Sequence, residues 1–195
     1  MQNNQPGFVR IIAGKWRSRR LQVAAVEGLR PTPDRVRETL FNWLAPYITG
    51  ANCLDLFAGT GALGFEALSR GALNVTFIDS SPKVVEILRQ EFVKLGGENA
   101  DIYQAKFPQG LHQPKKPFDI VFLDPPYQLD LIKPGCQFLE EHEFLAATAY
   151  IYLEARAPIH DNDLPSCWRL LKQERAGQVY YHLALRELKN NGKQI

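Results

Sequence analysis

The chain has 195 residues, 45% hydrophobic and 23% charged, which fits one globular domain with a short appendage, and no apolar run approaches the ~20 residues needed to cross a bilayer. Cys53, Cys136 and Cys167 are too few and too scattered for a disulfide framework or a zinc site, and the first seven residues lack the charged start and apolar centre of a signal peptide, so a reduced, cytoplasmic, metal-free protein is expected. The net charge of +2 conceals +6 over residues 1–37, −8 over 38–164 and +4 over 165–195, basic ends on an acidic body that suit a polyanionic partner.

Segments 8–13 and 19–24 alternate in polarity around Gly14-Lys15-Trp16-Arg17-Ser18 and predict a β-hairpin. Arg10, Lys15, Arg17, Arg19 and Arg20 around Trp16 suit phosphate contact plus base stacking. The alternative is an edge hairpin whose charges discourage aggregation; the charge asymmetry favours nucleic acid. A turn at 28–34 leads into a helix over 33–47, with Thr32 as N-cap, Pro33 at the first helical position and Val36, Leu40, Phe41 and Leu44 as its apolar stripe. Arg35 and Arg37 oppose the helix dipole near its start, which hints at a use beyond helix stability.

Residues 51–57 read as a buried strand, 58–64 as a glycine-rich turn and the stretch through Arg70 as a helix that stops at Gly71. Gly59, Gly61 and Gly64 have the spacing that lets a ligand approach backbone and helix N-terminus, and the second strand, 74–78, delivers Asp79 where a carboxylate can hold a ribose. A tight turn that merely packs helix on sheet is the plainer reading; the placed acid favours a nucleoside pocket. A helix over 82–95, capped by Ser81, carries Val84, Val85, Leu88, Phe92 and Leu95 on one face. A short strand at 101–105 makes Gln104 a candidate for an adenine edge, with a surface glutamine as the alternative.

After a loop at 107–117, the apolar run 118–123 delivers Asp124-Pro125-Pro126-Tyr127 to the same sheet edge. The prolines remove two donors and hold the chain extended, so the Asp124 carboxylate and the Pro125 carbonyl can each accept an amino proton while Tyr127 stacks on the ring that bears the amino group. A strand-to-loop turn with an exposed acid is the bland alternative. Residues 128–135 read as a mobile loop, 136–144 as a short helix, 149–154 as a fifth strand, and 168–174 with 178–185 as a closing antiparallel hairpin. The four histidines are far apart and form no metal or triad spacing.

A nucleoside pocket beside an amino-gripping corner implies group transfer to nitrogen. Residues 54–61 with the Asp-Pro-Pro-Tyr tetrad resemble class I S-adenosylmethionine-dependent methyltransferases: a Rossmann-like α/β fold, a mostly parallel seven-stranded sheet with helices on both faces and a C-terminal antiparallel hairpin, here with an N-terminal β-hairpin added. Residues 10–17, 29–41 and 176–180 extend the likeness to the bacterial 16S rRNA guanine-N(2) methyltransferases of the RsmD family, from about Phe8 to Glu187. The resemblance implies methylation of a guanine amino group in small-subunit rRNA, on an assembled or partly assembled subunit; a monomer is expected. It places Asp55, Leu56, Phe57, Ala58, Gly59, Thr60 and Gly61 around the methionine part of the cofactor, Asp79 and Ser80 at the ribose, Gln104 and Ala105 at the adenine, and Arg30, Pro31 and Thr32 nearby. Asp124, Pro125, Pro126 and Tyr127 meet the target base, with Asp124 also facing the cofactor. Ser18 stands where the family usually has glycine, and Gln104 where it has a shorter Asn or Asp. The expected division is a basic hairpin extension (1–27), a methyltransferase domain (28–188) and a polar tail (189–195). An amino methyltransferase of adenine or cytosine and a noncatalytic RNA-binding protein on the same scaffold are the alternatives.

Overall fold

Strands β1 (Phe8–Arg10) and β2 (Arg20–Gln22) pair antiparallel as the N-terminal hairpin, in a computed structural model that describes residues 7–24, 26 and 32–188. Helix α1 (Asp34–Leu44) follows, then β3 (Asn52–Asp55), α2 (Ala62–Ser69), β4 (Asn74–Asp79), α3 (Pro82–Lys94), β5 (Ala100–Gln104) and β6 (Phe118–Leu123). The chain ends with α4 (Ile132–Glu141), β7 (Leu145–Ala155), β8 (Trp168–Ala176) and β9 (Val179–Glu187). The main sheet runs β5-β4-β3-β6-β7-β9-β8, parallel from β5 through β7 and antiparallel at β9 and β8. This is the Rossmann-like arrangement that the resemblance implies.

Strands β3, β4 and β6 are buried almost throughout because both sheet faces are covered. The first face packs Val36, Leu40 and Phe41 of α1, Phe65 of α2 and Leu88 of α3 against Phe77 and Phe122. The other carries Leu54, Val121 and Leu123 under Cys136 and Leu139 of α4 and the Phe144 and Trp168 rings. The hairpin belongs to the first face, where Ile11, Trp16 and Leu21 join the core.

Its connecting loop is bolted to α2. Buried Glu66 accepts from the Ile12 and Ala13 amides at 2.7 and 3.0 Å, and Ser69 Oγ accepts from the Trp16 amide at 2.9 Å while donating to the Ala13 carbonyl at 2.5 Å. Ser18 turns this loop at φ 67°, the left-handed region that favours glycine.

Several boundaries differ from expectation. α1 is shorter than 33–47, and its N-cap is Pro33 at ψ 146°, not Thr32; Thr32 instead gives its carbonyl to Arg37 Nε at 3.2 Å. Part of the loop expected at 128–135 is a short 3-10 turn (Tyr127–Leu129) and the start of α4, while β7 begins four residues before the expected 149 and carries a register irregularity. Pro134 fits α4 because it lies in the first turn, where backbone N–H groups lack intrahelical partners, and the Gly135 amide makes the first helical bond, to the Leu131 carbonyl at 2.8 Å. The closing hairpin turns at Gly177, as its sequence suggests.

Candidate active site and nucleic-acid interface

The chain order reverses between β3 and β6: the strand after β3 lies on one side, and the strand after β6 on the other. In open α/β sheets, the carboxyl ends at such a switch point frame a ligand crevice. Here those ends carry Asp55, Asp79, Gln104 and, just past Leu123, Asp124. Both sequence motifs therefore meet at one edge.

Residues 56–61 turn tightly from β3 into α2. Gly61, at φ 71°, precedes the helix, and a Cβ there would lie 2.5 Å from Leu88 and 2.6 Å from Phe65. At Gly64 a Cβ would come within 2.2 Å of Phe77, so this glycine brings α2 onto β4. Leu56 and Ala58 bury their side chains, and Thr60 Oγ1 takes the Ala62 amide at 3.3 Å, which leaves mainly backbone, with half-buried Phe57 and Gly59, toward the crevice.

The carboxylates around this turn are already partly engaged. Asp55 is buried and accepts from the Gly64 amide at 3.0 Å; burial first, and then the Asp79 charge, pushes its pKa up to about 7 against the lowering effect of that N–H. Asp79 accepts from the Gly59 amide at 2.9 Å and the Ser81 amide at 2.8 Å, holding the turn against the end of β4. Gln104 donates to the Ser80 carbonyl at 3.1 Å, and the Ala105 amide to the Asp79 carbonyl at 3.1 Å. Arg30 and Pro31 lie outside the described residues.

Across the crevice, Pro126 is extended at φ −53° and ψ 122°, and its carbonyl is taken by the Leu129 amide at 3.0 Å. Among the described residues, no donor lies within hydrogen-bonding distance of the Asp124 carboxylate or the Pro125 carbonyl. Burial, then the charges of Glu154 and Asp55, holds Asp124 well above the usual carboxylate range. Tyr127 is half-buried, and its hydroxyl donates to Glu154 at 2.5 Å.

Arg10, Lys15, Arg17, Arg19, Arg20 and Arg35 are exposed, as a phosphate-facing surface requires. Two other residues expected on that surface are not. Trp16 is 6% exposed with its ring in the core, so it offers no face to a base. Arg37 is fully buried, bonded to the Arg10 carbonyl at 2.9 Å and Asp34 at 2.6 Å, and lies 3.6 Å from Glu66. Its unfavourable place at the start of α1 is explained by this internal pairing, not by RNA.

A cavity of about 520 Å³ under the β5–β6 connection, lined by Tyr103, His112, Lys116, Phe118 and Phe144 among others, shares no residue with the corner. Among the described residues no helix is long and apolar enough to cross a membrane, and no group of three or more His, Cys, Asp or Glu stands ready for a metal.

The family model described as conserved hypothetical protein 95 matches residues 9–185. The chain belongs to that family. Ribosomal RNA small subunit methyltransferase D of Escherichia coli (strain K12) is 45% identical over 181 residues, spanning 93% of this chain and 91% of that protein. The protein of the same name from Haemophilus influenzae is 46% identical over 186 residues, covering 92% and 95%. A solved structure of yhhF from Escherichia coli superposes with a TM-score of 0.84 at 45% identity, over 94% of this chain and 100% of that one.

Three residues around the site escaped the motif reading. Glu66 lies inside the helix after the glycine turn and was read as part of it; only its burial reveals that it anchors the basic loop. Glu154 lies one residue before the end of β7, the strand beside β6, and a carboxylate near that end is the available signal. Arg156, its guanidinium 5.1 Å from the Tyr127 ring centroid, carried none.

Proposed function

We propose that this member of the family transfers a methyl group from S-adenosylmethionine to the exocyclic N2 amino group of a guanine in 16S rRNA of the small ribosomal subunit, in the bacterial cytoplasm. The observation that carries the reading is the convergence, at one switch point, of a glycine turn and a free Asp124 carboxylate beside the Pro125 carbonyl. The names of the relatives support the rRNA substrate.

The residues present fit the cofactor. The Gly59–Gly61 backbone makes a cradle at the N-terminus of α2, and Asp79 stands at the end of β4 for the ribose hydroxyls, with one backbone N–H on each oxygen and lone pairs to spare. Ser80, Gln104 and Ala105 form the neighbouring wall for the adenine, and the family resemblance adds Arg30, Pro31 and Thr32 to the cofactor contacts. When bound, S-adenosylmethionine supplies a methyl group on a cationic sulfur, so that the carbon–nitrogen bond forms as the carbon–sulfur bond breaks and its electron pair returns to sulfur.

The chain's own part is positional and electrostatic. Asp124 and the Pro125 carbonyl each accept a hydrogen bond from one amino N–H, which fixes the nitrogen and turns its lone pair toward the crevice. Tyr127 lies against the base plane, and Pro126 keeps this arrangement extended. A positive charge in the crevice favours the ionised form of Asp124 that burial and its acidic neighbours otherwise oppose, so proton acceptance is matched to cofactor occupancy. Once the nitrogen is alkylated and cationic, its proton passes to Asp124. The exposed arginines of the hairpin hold the flanking phosphates.

The test is transfer of labelled methyl into small subunits from a strain lacking this activity, against naked rRNA and duplex DNA, with nucleoside analysis of the product. N2-methylguanosine formed in subunit rRNA, and its loss in Asp124→Ala with cofactor binding kept, is the expected result. Label in DNA or in methyladenosine would overturn the substrate, and full activity of Asp124→Ala would overturn the chemistry.

A further inference from the structure

The strand beyond the corner holds Tyr127 in two ways. The Tyr127 hydroxyl donates to one oxygen of Glu154 at 2.5 Å, and the Tyr152 hydroxyl donates to the other at 2.7 Å. The Arg156 guanidinium covers the Tyr127 ring at 5.1 Å from its centroid. Glu154 is 6% exposed, and the parallel register that pairs Leu123 with Leu153 brings it beside Asp124, one position further along both strands.

Stability alone does not favour this arrangement. A buried carboxylate must be compensated by hydrogen bonds, and placing it next to a second, half-buried carboxylate adds like-charge repulsion. An apolar side chain at 154 with phenylalanines at 127 and 152 would need neither. What the carboxylate adds is a fixed position for one atom of a half-buried ring on a loop: the hydroxyl is anchored, and the cation closes one face, leaving the other face for a ligand.

We propose that Glu154 is a positioning residue for methyl transfer, fixing through the Tyr127 hydroxyl the ring against which the target base is laid. The proposal rests on the methyl-transfer reading of the corner. Its negative charge has a second effect, since it raises the pKa of the neighbouring Asp124. The groups facing Asp124 are Asp55 from β3, Glu154 and Tyr152 from β7, and Tyr127 on its own loop; Arg156 lies against Tyr127. Removing the Glu154 charge therefore moves ionisation of Asp124 to lower pH.

The experiment compares wild type, Glu154→Gln, Tyr127→Phe and the double variant in methyl transfer to small subunits across pH. In parallel, tyrosine labelled with ¹³C at Cζ is followed by NMR, the Tyr127 signal being assigned by its loss in Tyr127→Phe. Each single variant is expected to lose roughly 10- to 100-fold in kcat, the range a misplaced reacting group produces, with KM for the subunit within twofold. The double variant should lose no more than the worse single one, because both act through one hydrogen bond. The acid limb of the pH profile should move to lower pH in Glu154→Gln and stay in place in Tyr127→Phe, and Glu154→Gln should displace the Tyr127 Cζ resonance.

An unmoved Tyr127 resonance, additive losses, or a loss confined to KM would overturn the role of Glu154 while leaving methyl transfer intact. If wild type transfers no methyl group to any acceptor, the underlying reading fails and this proposal falls with it.

Discussion

Asp55 links pH to the stability of the switch point. Its carboxyl is 3% exposed, and its pKa rises from 3.8 to about 7, mainly through burial. Between those values the folded chain keeps a proton that the unfolded chain has released. The stabilisation from the neutral acid is thus complete below about pH 4, declines as pH rises toward 7, and is lost above that. A shift of about three pKa units corresponds to on the order of 4 kcal/mol. Asp55→Asn retains an oxygen to accept the Gly64 amide but never ionises, so it should hold at pH 8 what the wild type has lost. About 1 kcal/mol of this is already lost at pH 4.5, and for a chain of this size each kcal/mol moves Tm by roughly 2–4 °C, so the Tm difference, variant minus wild type, should grow by about 6–13 °C between pH 4.5 and pH 8. Thermal melts of ligand-free protein by circular dichroism, at constant ionic strength, measure this directly. Every other titrating group is common to both proteins, and the difference reports Asp55 together with its coupling to Asp124. A Tm difference independent of pH would refute the assignment of a buried, proton-holding Asp55.

Three further predictions concern the basic loop. Ser18→Gly should raise Tm by about 1–4 °C, because relieving a left-handed conformation worth ~1–2 kcal/mol outweighs the ~0.4–1 kcal/mol of added unfolded-state entropy; a lower Tm would contradict the strained φ of 67°. Glu66→Gln leaves the buried Arg37 guanidinium with Asp34 as its remaining counter-ion and weakens the two loop-amide bonds, and should cost about 1–3 kcal/mol, or roughly 2–12 °C in Tm, with a melt unchanged from wild type as the contrary result. Changing Arg17, Arg19 and Arg20 together to Ala should weaken rRNA binding and lower the slope of log affinity against log salt by about 2–3, measured by filter binding over a KCl series. An unchanged slope would remove the loop from the RNA contact.

What the sequence made legible was local. The glycine turn, the Ser81 cap and the Asp-Pro-Pro-Tyr corner are each written in a few adjacent residues whose backbone demands are specific, and the alternation of strands and helices arranges them on one sheet. Trp16 and Arg37 misled for the complementary reason: beside neighbouring arginines each has the composition of a nucleic-acid contact, and what buries them is distant in sequence. Ser69 takes the Trp16 amide from 53 positions away, while Glu66 receives Arg37 together with the two loop amides. Pro134 and Gly135 misled differently, as helix breakers in general that a first helical turn accommodates; Gly135 also lies where a Cβ would come within 3.1 Å of Leu123. Glu154 stands between these cases. The end of its strand was visible, but its meaning depends on which strand lies next to it, and strand order is a property of the whole sheet. Once β7 is the neighbour of β6, any acid at its carboxyl end must share the corner with Asp124. The choice of glutamate there, with two tyrosine hydroxyls aimed at it, then becomes a statement about the site and not about the strand.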